Sequence, residues 1–177
     1  MKKVILCAAL ALVATNTFAV GPITVSKELT INAVDFLTLT PLEMSPLSIT
    51  WNSIATYEAT QSVGAGPFHL TANHDFKVTV DATDFLRQGP APTSLAVPTS
   101  VEPQTIMTFK SAHTGGEACD FYQIAPIAAT NAPQNAVTEG TGTAATDFEI
   151  TLYVTGNLDN NMSGTYISTV NVIASLN

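Results

Sequence analysis

The side chains best equipped for chemistry gather in one stretch, His113-Thr114-Gly115-Gly116-Glu117-Ala118-Cys119-Asp120. Imidazole, carboxylate and thiolate are all zinc ligands, and a histidine beside a cysteine can activate a thiolate. The spacing fits no ligand framework, however, and one local cluster supplies no third group to orient a base. It reads as a turn with polar residues. His69 and His74 stand five apart, outside that stretch. Gly140-Thr141-Gly142-Thr143-Ala144-Ala145 is glycine-rich in the manner of a nucleotide loop, but no strand-to-helix context or acidic ribose partner accompanies it. Asp159-Asn160-Asn161 lacks the spaced oxygens of a calcium loop and reads as a turn. The carboxylates are scattered, and no serine sits in a strand-turn-helix elbow. The expectation is a protein with no catalytic residues, no metal and no cofactor.

The elements that could position such residues begin after an export signal. Met1-Lys2-Lys3 is basic, Val4 to Ala14 is an apolar run of eleven residues, and the exit carries Thr17 at −3 and Ala19 at −1. Such a run is too short to span a bilayer core. Residues 1–19 are therefore expected to be a signal peptide, leaving 158 residues, one domain's worth. Those retain Lys27, Lys77, Arg87 and Lys110 against fourteen acidic side chains, a net charge of −10. Nucleic-acid binders present clustered Lys and Arg, so a nucleic-acid partner is excluded, and no second run of membrane-spanning length follows. Cys119 is the one cysteine of that part, so no internal disulfide is expected, and its aromatic neighbours Phe121 and Tyr122 favour burial.

Hydrophobic spacing predicts strands throughout. Ile23, Val25, Leu29, Ile31 and Ala33 share one face of an alternating segment that Lys27 interrupts. Residues 35–42, Leu47–Trp51 and Ile54–Tyr57 follow as candidates, then Phe68–Ala72 and Phe76–Asp81 as a pair joined by Asn73-His74-Asp75. Gln88–Pro103, with four prolines, reads as loop or edge. Thr105–Lys110 and Cys119–Ile124 are expected on either side of a turn at Thr114-Gly115-Gly116, with a long loop over Ala125–Thr146. Phe148, Ile150, Leu152 and Val154 alternate cleanly. So do Tyr166, Ser168, Val170, Val172, Ala174 and Leu176 in the last strand. No helix is expected. Seven to nine short strands predict an all-β, Ig-like antiparallel β-sandwich.

Gly164-Thr165-Tyr166 before an alternating closing strand, an alternating arm after a signal peptide, and Phe76-Lys77-Val78-Thr79-Val80 together resemble chaperone–usher pilins, in their alternate, alpha-type branch. The resemblance implies an incomplete sandwich completed by a donor strand. Residues 20–33 would be the donor arm and 34–177 the pilin domain, with Ile23, Val25, Leu29, Ile31 and Ala33 entering a neighbour's groove. Tyr166, Val170, Val172 and Ala174 would form the groove's closing strand. The implied partners are copies of the chain itself, a periplasmic chaperone, an outer-membrane usher and, optionally, a tip adhesin. The implied location is a cell-surface fimbrium. The alternative is a self-contained secreted sandwich that binds carbohydrate or host protein.

Overall fold

The computed structural model describes residues 28, 30, 31, 33–43, 47–91, 93, 96–122, 125–142, 145–156 and 162–177. The predicted signal peptide and the arm residues Ile23, Val25 and Leu29 lie outside them. The chain divides into two units, Met1–Val34 and Asp35–Asn177. In the first, the described residues Glu28, Thr30, Ile31, Ala33 and Val34 are all exposed.

The second unit is built almost wholly of strands. Its first sheet joins β1 (Leu37–Pro41), β3 (Phe68–Ala72), β11 (Ala145–Thr155), β7 (Met107–Gly116) and β9 (Ile127–Ala128), in that order. β2 (Thr60–Gly64) shares the β3 side of β11, pairing along its second half. The second sheet runs β13 (Val170–Leu176), β4 (Phe76–Ala82), β10 (Gln134–Gly140), β8 (Asp120–Phe121). A small third sheet joins β12 (Tyr166–Ile167), β5 (Phe85–Arg87) and β6 (Ser100–Val101). Every pairing is antiparallel. The expected all-β sandwich is what the chain forms. In chain order β1, β2/β3, β7 and β11 take the A, B, D and E places of an Ig sandwich, and β4 and β13 take C and F.

Period-two alternation builds the core. Phe148, Ile150, Leu152 and Val154 turn inward from β11, meeting Phe76, Val78 and Val80 from β4, and all seven are buried. Each side chain of this size contributes about 1.5–3 kcal/mol when taken fully out of water. Ser111 and Thr146, the fully buried polar residues among those described, are both bonded. Ser111 Oγ, on β7, lies 2.7 Å from the Ala136 carbonyl of β10 and 3.1 Å from that of Tyr122, tying one sheet to the other. Thr146 Oγ1 donates to the Glu117 carbonyl at 2.6 Å.

Several local expectations are corrected. Phe68–Ala72 and Phe76–Asp81 do not pair, for β3 and β4 belong to opposite sheets. Both bury an apolar face in one core, and Asn73-His74-Asp75 carries the chain across it. Thr114-Gly115-Gly116 is no turn but the end of β7, with a register shift opposite Asp147 and Phe148. Gly116 has φ +80, and a Cβ there would sit 2.2 Å from the Ala145 carbonyl oxygen. The expected loop over 125–146 contains β9 and β10. Its inward residues Ala136 and Val137 are too small and too few to signal a strand in the sequence. Ile54–Tyr57 is helical, within α1 (Ile54–Glu58), because Ser53 and Thr56 form a reciprocal capping box. α2 (Pro103–Ile106) begins on a proline and displaces the expected start of the next strand to Met107. Such one-turn helices are too short to show a helical period. β2 lies in a stretch where no strand was expected.

Replacing Ser111 by Ala removes the 2.7 Å bond to the Ala136 carbonyl, which keeps its bond from Tyr122 N at 3.0 Å. Urea unfolding is expected to show a loss of about 0.5–1.5 kcal/mol.

Candidate functional site

Hydrogen-bond phase decides which strand edges are free. In an antiparallel pair, alternate residues turn their backbone N–H and C=O toward the partner strand, and those between turn them away. Thr83 N donates to the Thr169 carbonyl at 2.9 Å, and Asn177 N to that of Asp75 at 2.8 Å. With the register of β13 on β4, this directs the odd-numbered residues of β13 toward β4. Val170, Val172, Ala174 and Leu176 therefore point their backbone groups at the other edge, while their half-buried side chains pack on the core. No strand pairs with that edge among the described residues. It is where an Ig constant-type domain holds strand G.

The facing edge belongs to β1. Leu42 N bonds the Pro67 carbonyl at 2.9 Å and Asn73 N that of Phe36 at 3.3 Å, so the even residues of β1 face β3. Leu37, Leu39 and Pro41 face outward. Pro41 has no N–H to offer, and on this side it breaks no ladder bond. β1 and β13 approach each other without pairing.

Beyond β1 the two sheets part. A cleft of about 890 Å³ opens between Leu47–Trp51 and Met162–Val170. Val63, Met107, Leu152 and Val154 form its floor from the first sheet, and Phe85, Tyr166 and Val170 line the opposite side. Leu47–Trp51, an expected strand, is extended but joins no ladder, and its backbone makes no hydrogen bond among the described residues. Ile49 and Trp51 are half-buried against the core and the intervening Thr50 is exposed, the alternation of a strand without a partner. Trp51 meets Tyr57 edge to face at 5.0 Å, and its indole Nε1 is buried with no acceptor. An orphaned buried donor costs about 1–3 kcal/mol. Tyr166, by contrast, has its hydroxyl bonded to the Pro98 carbonyl at 2.8 Å.

The expected closing strand is broken in two: Val170, Val172 and Ala174 share one face of β13 beside its free edge, whereas Tyr166 lies on β12, paired with Arg87 in the third sheet, and only Tyr166 and Val170 of the four line the cleft. Of the arm residues that are described, Ile31 is 72% exposed and Ala33 is exposed too. The cleft's floor, and the role of Trp51 in its wall, were missed in the sequence. Alternation of Leu47, Ile49 and Trp51 was the one available signal.

The polar residues disperse. His69 Nδ1 pairs with Asp147 at 2.5 Å across β3 and β11, whereas His74 pairs with Asp35 at 3.0 Å on the surface. His113 packs on Phe121 at 5.4 Å, its Nε2 buried and unbonded, and Cys119 is half-buried with its nearest hydrogen-bond acceptor, the Glu117 carbonyl, at 3.9 Å. No three potential metal ligands converge among the described residues. Burial pushes the Cys119 thiol above its usual value, and the charges of Asp120 and Glu117 push the same way, against hydrogen bonds from Thr141 and Thr146. A nucleophilic cysteine needs the opposite shift. Among the described residues no helix is long and apolar enough to cross a membrane. No family model, curated protein or solved structure matches the chain.

A raised thiol pKa means that the folded protein holds the proton more tightly than the unfolded chain. Its stabilising contribution is complete below the unfolded thiol's value and is lost as pH rises through the folded one. The rate of Cys119 alkylation in the native protein is expected to climb at higher pH than that of the same thiol in urea. A native profile at or below the unfolded one would contradict the burial.

Proposed function

We propose that the chain is the structural subunit of a surface pilus, assembled when the N-terminal arm of one copy fills the cleft and free edge of another. The observation that carries this reading is the pairing of unmet needs on the β13 edge. Outward backbone groups of four residues lack a ladder among the described residues, and the cleft begins at the first of them, Val170.

An extended segment with alternating apolar side chains meets both needs at once. Its backbone bonds to the edge, and every second side chain enters the cleft. Ile23, Val25, Leu29, Ile31 and Ala33 have that alternation, and the arm's described apolar residues stand exposed. A contact between unlike surfaces of identical subunits propagates into an open fibre. Before assembly the bare edge would pair indiscriminately, which is the need that a periplasmic chaperone meets, with an outer-membrane usher ordering the exchange. On this reading residues 1–19 are an export signal and the assembled chain lies on the cell surface, where it supports adhesion.

Export of the full chain to a periplasm, with and without residues 20–33, tests the proposal. Oligomers that resist detergent, collapse on boiling and vanish without the arm are expected. A soluble monomer that needs those residues in order to fold would instead indicate a self-contained binding domain. A finer test uses the exposure of Ile31, 72% in the single chain. Ile31→Asp is expected to change the urea midpoint negligibly, since surface changes stay within about 0.5 kcal/mol. It should nevertheless reduce oligomers on the gel at least tenfold.

A further inference from the structure

We propose that Trp51 is the residue by which the cleft recognises an occupying strand: its indole N–H, without an acceptor while the cleft is open, takes a backbone carbonyl of the docked strand. The proposal rests on the reading of the cleft given above and names a contact within it.

Three observations converge. First, Trp51 ends the Leu47–Trp51 wall of the cleft, and its Nε1 is buried without a partner. Indole nitrogen only donates, so nothing but an acceptor can answer it. Second, an extended segment bonded to β13 at Val170, the residue of that edge which lines the cleft, turns alternate carbonyls away from β13 into the cleft. Acceptors therefore arrive in the cleft that Trp51 lines. Third, no backbone hydrogen bond holds Leu47–Trp51 in place among the described residues. The covered ring can shift with its segment to meet a carbonyl, and the gain from answering the orphaned donor is realised only in the occupied state. The occupant is the arm of a second copy, an extended chain that brings carbonyls at regular spacing together with apolar side chains for the floor. A compact ligand such as a sugar would bring no such row.

Trp51 is the chain's one tryptophan, so the indole N–H gives a single nuclear magnetic resonance signal. The full-length chain, labelled at the indole nitrogen, is titrated with a synthetic peptide of residues 20–33, and affinity is followed in parallel by calorimetry. The indole proton is expected to move downfield as the peptide saturates, the mark of a hydrogen bond gained. Trp51→Phe keeps an aromatic ring but no donor. It should bind the peptide about tenfold more weakly, while its melting temperature without peptide is unchanged or higher, because the orphan is gone. Saturable binding with an unmoved indole signal, or with equal affinity in Trp51→Phe, overturns the role of Trp51 and leaves the cleft reading intact. Absence of peptide binding to the parent chain overturns both.

Discussion

Backbone groups that cannot pair in their own sheet organise this molecule. Taking peptide N–H and C=O out of water costs more than any single side-chain contact returns, so sheets end only where an edge can be tolerated. Here one edge coincides with a gap between the sheets. The outward-facing residues of β13 are also the ones whose side chains cover the core. On the proposed reading edge and cleft are two aspects of one missing strand, because a strand alternates its side chains and its backbone groups in the same rhythm.

The remainder of the domain reinforces that geometry. Ser111 bridges the sheets with a side-chain bond, and the bulge at Thr114 lets β7 and β11 stay paired past a register shift. The Ser53 capping box starts a short helix, α1, directly after Leu47–Trp51. On the proposed reading the unsatisfied wall and the unsatisfied edge are what a neighbour completes. Stability is then shared between subunits, in a domain whose Cys119 is a free thiol. The polar residues that first invite a chemical interpretation lie apart from one another. His69 joins β3 to Asp147, His113 lies against Phe121, and the Cys119 thiol keeps its proton.

What the sequence determined by itself was the type and facing of the long strands. Phe148 to Val154 and Val170 to Leu176 alternate so regularly that their inward residues are legible without coordinates. Tertiary structure alone decided the partnerships. A period of two says which face is buried but not across which sheet, so Phe68–Ala72 and Phe76–Ala82 read as neighbours and fold as opposites. The helices α1 and α2 are one turn each and carry too few residues to show a period, while β10 is interrupted by register shifts and buries only Ala136, Val137 and Gly140, which break the alternation. The cleft was least legible of all. Its floor gathers Val63, Met107 and Leu152 from three strands far apart in the chain, and only packing, with no local pattern to announce it, sets them side by side.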